Sequence, residues 1–95
     1  MTSAGPIRLT VTNPSGLHAR PAALFVRTAG SFGAQITLAN ATRGTGPGDA
    51  KSILTVLGLG VSSGHEIELA ADGDDASAAL DALRELVESG IGEGA

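Results

Sequence analysis

A chain of 95 residues, 42 % hydrophobic and 17 % charged, suits one small domain and is too apolar for a disordered tail. Six basic against ten acidic side chains give a formal net charge of −4, opposite in sign to most nucleic-acid modules of this size. The absence of cysteine excludes disulfide frameworks, thiolate zinc sites and thiol catalysis.

Met1 to Pro6 has neither a basic stretch nor an apolar core, and no apolar run reaches the ~18 residues of a membrane span. The expectation is a cytoplasmic domain with no membrane insertion. Ile7 to Thr12 alternates, with Ile7, Leu9 and Val11 on one face, and reads as a half-buried strand. Asn13-Pro14-Ser15-Gly16 is a turn cluster. Ala22, Phe25, Val26 and Ala29 then recur at helical spacing. Pro21 is tolerable only in a first turn, so the helix begins just after His18, and Gly30 stands where a C-terminal cap belongs. The opposite face carries Arg20, Ala23, Leu24 and Arg27, which places Leu24 in solvent between two arginines.

Gln35 to Asn40 reads as a second strand. Ala41 to Gly48 is a long loop or ragged hairpin with a weak third strand near Asp49. Lys51 to Leu59 is a brief helix with Ser52 as N-cap, stopped by Gly58 and Gly60. Val56 and Leu59 are its core candidates. Leu54 and Leu57 are surplus apolar residues of the kind that dock a partner. His65 to Ala70 alternates as a fourth strand with Ile67 and Leu69 inward. Asp72, Asp74 and Asp75 set carboxylates at a helix N-terminus, where the macrodipole favours them. Ala76, Ala79, Leu80, Leu83, Leu86 and Val87 form the last helical stripe, and Gly90 to Ala95 reads as a frayed end or linker. The result is a single domain with a core over about 7–89, in the order β-α-β-β-α-β-α. Such short connections favour an α+β fold, an antiparallel sheet with helices on one face.

Chemistry concentrates at His18. A neutral imidazole is a nucleophile, and the positive end of a helix disfavours the imidazolium. The amides of Ala19 and Arg20 are unpaired in a first turn, and Pro21 has none. A phosphoryl group on His18 would meet those amides and the Arg20 guanidinium. From the residues alone His18 is equally a turn histidine that caps a helix. His65 follows Gly64 in a turn and reads as solvated. Two histidines without nearby paired carboxylates give no metal site, and no cofactor pocket is suggested. A phosphate on Ser52, the N-cap, would also suit a helix dipole.

The segments GLHARPAALFV and AKSILTVLGLGVSSGHEIEL resemble HPr, the histidine-containing phosphocarrier of the bacterial phosphoenolpyruvate:sugar phosphotransferase system. The likeness runs from about Ile7 to Ser89. The stretch NATRGTGPGDAKS and the GIGEG ending look most like the HPr-type domain of fructose-specific multiphosphoryl transfer proteins. The resemblance implies an open-faced β-sandwich, a four-stranded antiparallel sheet in order 1-4-2-3 with three helices on one face. It implies that His18 takes a phosphoryl group on Nδ1 from enzyme I and passes it to the IIA domain of a sugar permease, with Arg20 balancing the phosphate. Such a chain is a carrier and not an enzyme. Ser52 matches a serine that a dedicated HPr kinase phosphorylates in some bacteria. Leu24, Ile53, Leu54 and Leu57 fall where the family docks partners. The basic rim is thin: Arg20, Arg27 and Lys51, with Arg43 a further candidate, while Thr55 and Gly30 stand where other members carry basic residues. The alternative function is a small regulatory domain of mixed topology that binds a ligand or partner.

Overall fold

Alternating apolar side chains decide which face of a sheet is covered, and here they bury one face and leave the other to solvent. The computed structural model describes residues 2–93. Its elements are β1 (Ser3–Thr10), α1 (Ala19–Gly30), β2 (Gln35–Asn40), β3 (Thr45–Asp49), α2 (Ile53–Gly58), β4 (Glu66–Asp72) and α3 (Ala76–Glu88). The strands pair antiparallel in the order β1-β4-β2-β3, and three helices cover one face: an open-faced β-sandwich. The inward row pairs Leu9 with Ile67 and Leu38 with Leu69 across strands, all buried. Phe25 of α1, Val56 of α2 and Leu83 and Val87 of α3 close the core from above, each without exposed surface. On the open face Arg8 Nε meets Glu68 Oε2 at 3.1 Å, an exposed pair of little energetic weight.

The structure corrects several expectations. β1 starts four residues earlier than Ile7, running through Pro6 with a register irregularity between Ala4 and Ile7. Proline lacks a donor, but β1 is an edge strand and tolerates it. Val11 leaves the ladder yet stays buried, its amide donating to His65 O at 2.9 Å. β3 is a full five-residue strand despite its Gly-Pro-Gly composition, because β2 supplies the pairing. Gly30 is the last residue of α1 and not a left-handed cap. Ser31 is the C-cap, at φ −78, and its amide and hydroxyl both donate to Thr28 O. Val26 is only half-buried. Gly60, at φ +67, ends α2 after the C-cap Leu59.

The carboxylate nearest α3 stands at its N-terminus as expected, yet its hydrogen bonds go elsewhere. Asp75 is the N-cap of α3 but makes no capping bond. Its oxygens accept from the amides of Gly33 and Ala34, both at 2.8 Å, and so tie the α1–β2 connection to the start of α3. The Gly33 amide is the leading reason the carboxyl is held below its ordinary value, with Ala34 and the charge of Lys51 adding to it. The segment after α3 is not frayed over Gly90 to Glu93: Ile91 is 1 % exposed and its amide donates to Leu86 O at 3.0 Å. Burial of one isoleucine is worth about 1.5–3 kcal/mol, enough to dock a short tail. Gly94 and Ala95 lie outside the described residues.

Candidate functional site

His18 is presented by a stretch of chain anchored on both sides. Before it, the Asn13–Gly16 turn closes through Gly16 N to Asn13 O at 3.1 Å and Asn13 Nδ2 to Gly16 O at 2.9 Å. Gly16 sits at φ +60 against the Val61 carbonyl oxygen and Ser62 Cα, where a Cβ would overlap both. Leu17 is fully buried, and its amide donates to Val61 O at 3.0 Å. After it, Pro21 and Ala22 are buried. Between the anchors, His18, Ala19 and Arg20 face solvent.

Ala19 adopts φ +53, a left-handed conformation that costs a residue with a Cβ roughly 1–2 kcal/mol. Strain of this kind persists only where its surroundings enforce it, and here the buried Leu17 and Pro21 do so. His18 itself is extended, at φ −129 and ψ 160, and its side chain makes no capping bond. Among the described residues the amides of Ala19 and Arg20 have no hydrogen-bond partner. No acidic side chain stands in the first turn. The N-terminus of a twelve-residue helix, with about half a positive charge and unpaired N–H groups, therefore opens beside an accessible imidazole. That arrangement can hold an anion formed on the ring.

Helices α1 and α2 run antiparallel. Lys51, before α2, donates from Nζ to Phe32 O beyond the C-terminus of α1 at 2.7 Å, while Val61, after α2, holds Leu17 before α1. Lys51 and Ser52 thus stand about one α1 length from His18, roughly 18 Å at 1.5 Å per residue. Lys51 does not belong to the rim of His18; it binds a backbone carbonyl instead. Arg20 and Arg27 are exposed on α1. The Arg43 side chain lies against Gly60 at the C-terminal end of α2. Ser52 caps α2 as expected, its Oγ accepting from Thr55 N at 3.3 Å. Leu54 is 80 % exposed, with Ile53 at 39 % and Leu57 at 38 %, whereas Val56 and Leu59 are buried. These three side chains make an apolar patch on α2. Leu24 does not join it as a free side chain: it is half-buried, packed on the core and beside Gly92 of the C-terminal segment.

His65 is also not simply solvated. Its Nδ1 accepts from Ser62 N at 3.1 Å and lies 3.2 Å from Asn40 Nδ2. A backbone amide can only donate, so the ring proton sits on Nε2. The buried Asn40 also donates to Leu59 O at 3.2 Å, so this network fixes the connection from α2 to β4. Sequence reasoning named the Ala19 amide but missed its left-handed conformation, because alanine carries no preference for positive φ. It also missed Asn13, Ser15 and Glu93, whose partners are 78 or more residues apart in sequence. Among the described residues no three metal-ligating side chains come together. An open groove of about 440 Å³ lies near Thr37, Pro47 and Lys51, at the β2–β3 edge and not at His18.

Comparison with solved structures gives the class of protein. The fold matches HPr-C-His from Thermoanaerobacter tengcongensis with a TM-score of 0.87 and 42 % identity, covering 100 % of both chains. It matches the phosphocarrier protein HPr of Bacillus anthracis with a TM-score of 0.83 and 37 % identity, over 92 % of this chain and 99 % of the other. This is the fold of a phosphocarrier. A family model described as "PTS HPr component phosphorylation site" covers residues 7–89, and the chain belongs to this HPr family of the phosphotransferase system. Phosphocarrier protein HPr of Streptomyces coelicolor is 48 % identical over 86 residues, 90 % of each chain. The multiphosphoryl transfer protein of Salmonella typhimurium is 43 % identical over 86 residues, and the chain spans only 23 % of that longer protein. Among the described residues no helix is long and apolar enough to cross a membrane.

Proposed function

We propose that this chain carries a phosphoryl group on His18, received from enzyme I and delivered to the IIA domains of sugar permeases. The observation that carries this reading is the exposed imidazole at the N-cap of α1, next to two amides without partners among the described residues. An imidazole nitrogen lone pair attacks phosphorus as the bond to the donor breaks. The dianion then meets the Ala19 and Arg20 amides and the Arg20 guanidinium. The reverse attack by an acceptor residue restores neutral His18. The chain is thus a substrate shuttled between enzymes, not a catalyst with turnover of its own, and it works in the cytoplasm. The Ile53-Leu54-Leu57 patch, with Arg27 exposed on the helix that His18 opens, supports partner docking. Lys51, tied to Phe32, contributes charge at the far end of that surface. A phosphate on Ser52 would add about −2 charge beside the patch and impede an acidic partner, which is the regulatory use we assign to an HPr kinase.

The test is incubation with enzyme I and phosphoenolpyruvate, followed by intact mass at neutral and acid pH. A phosphate retained at neutral pH and lost in acid is the expected result. A protein of unchanged mass would overturn the reading.

A further inference from the structure

The segment after α3 is built to stay where it is, and its last described residue reaches the turn that precedes His18. Gly90, Ile91 and Gly92 all take positive φ, at 87, 49 and 78, which curls the chain back. Ile91 accepts this strained conformation while its side chain enters the core, and Gly92 passes beside Leu24 of α1. Glu93 then lays its carboxylate over the Asn13–Gly16 turn. Its Oε1 accepts from Asn13 Nδ2 at 2.9 Å and from Ser15 N at 3.0 Å, and its Oε2 accepts from Ser15 Oγ at 2.8 Å. Asn13 is fully buried and donates at the same time to Gly16 O, so the carboxylate and the turn share one donor group. The remaining oxygen of that side chain, Asn13 Oδ1, is buried without a partner among the described residues, which leaves the Nδ2 bonds to fix the amide. The bonds from Asn13 and then Ser15 hold the Glu93 carboxyl below its ordinary value, so it is ionised at neutral pH.

Resting on the reading of His18 as phosphoryl acceptor, we infer that Glu93 is a positioning residue for His18: its carboxylate latches the C-terminal segment onto the Asn13–Gly16 turn and fixes the frame from which the imidazole is presented. Only Leu17 separates Gly16 from His18, and the latched turn together with the Leu17–Val61 bond holds the short stretch of backbone that carries the imidazole. Asp75 provides an internal comparison. It is also a carboxylate accepting two amides across a long stretch of sequence, but it holds Gly33 and Ala34, beyond the opposite end of α1. A general loss of rigidity would result from removing either carboxylate. A change at His18 should result only from removing Glu93.

The experiment compares Glu93→Ala, Glu93→Gln and Asp75→Asn in phosphoryl transfer from enzyme I, alongside amide hydrogen exchange and the imidazole resonances of His18. Glu93→Ala is expected to lower kcat about tenfold with KM nearly unchanged, because docking uses the α2 patch and only the presented geometry is lost. Exchange at Ser15 to Leu17, the amides bonded in and beside the turn, should quicken and the His18 resonances should shift. Glu93→Gln keeps an oxygen acceptor and should recover part of the rate. Asp75→Asn should leave kcat, KM and the His18 resonances as they are. Unchanged kcat and unchanged exchange in Glu93→Ala would overturn the inference, and so would an equal loss of rate in Asp75→Asn. If the unaltered protein accepts no phosphate, the carrier reading fails instead, and the exchange at Ser15 to Leu17 still decides whether the latch exists.

Discussion

Helix α2 begins on Ser52, whose hydroxyl accepts the Thr55 amide at 3.3 Å; helix α1 begins on His18, whose side chain makes no capping bond. Both N-caps are extended, at φ −103 and φ −129, so the backbone of the cap is not the difference. The difference lies in the first turn beyond the cap. In α2 a side-chain oxygen closes that turn, and its residues present apolar surface. In α1 the turn opens with a left-handed Ala19 and contains the donorless Pro21, and the Ala19 and Arg20 amides have no partner among the described residues. The orphan donors that every helix start carries are used for stability in one helix and left available to an anion in the other.

Replacing both caps by alanine separates the two uses most sharply. His18→Ala is expected to lose all phosphoryl acceptance, with folding stability within about ±0.5 kcal/mol, since an exposed side chain without a cap bond is removed. Intact mass after incubation with enzyme I and a urea melt check both halves. Phosphate retained by that variant would end the contrast. Next in size, Leu57→Glu on α2 should lower kcat/KM with enzyme I about tenfold while stability again stays within about ±0.5 kcal/mol. Transfer as fast as in the unaltered protein would remove α2 from the docking surface.

Ser52→Ala is expected to cost about 1 kcal/mol in a denaturant melt without preventing acceptance, the reverse of the change at His18. Ser52→Asp keeps a good cap and should slow transfer at low salt, with the deficit shrinking as salt screens the charge. Salt-independent transfer would mean that Ser52 serves only as a cap. The smallest effect concerns the third helix start, where Asp75 reaches away from its own helix to Gly33 and Ala34. Its folded pKa lies below the ordinary 3.8, so its contribution is present above that value and lost as pH falls through the depressed one. An Asp75→Asn variant should therefore show a shallower loss of stability in acid than the parent. Identical acid profiles would show that the Asp75 bonds do not contribute.

Much of the fold was legible because short periodicities report burial directly. The alternation of Ile67 and Leu69, the stripe from Ala76 to Val87 and the Ser52 cap all stand as expected. The third strand was only faintly visible, since Thr45 to Asp49 has almost no strand propensity and exists by pairing with β2. His65 looked solvated because its partners, Ser62 and Asn40, are joined to it by a loop closure and a sheet pairing that no local pattern signals. Leu24 looked exposed because helical geometry alone cannot know that the C-terminal segment returns to cover it.

What the sequence determined by itself is therefore what depends on neighbours along the chain. Pro21 sets where α1 starts, Gly16 permits the turn before it, and residue spacing divides each helix into a buried and an exposed face. The tertiary structure alone decided what depends on distant groups meeting. It placed Ala19 in a strained conformation by clamping Leu17 and Pro21, moved Lys51 from His18 to Phe32, and turned Asp75 and Glu93 into long-range acceptors. A carboxylate bonds whichever unpaired amides the fold brings within about 3 Å. No local preference in Glu93 or Ser15 encodes that encounter, because it exists only once Ile91 has been buried.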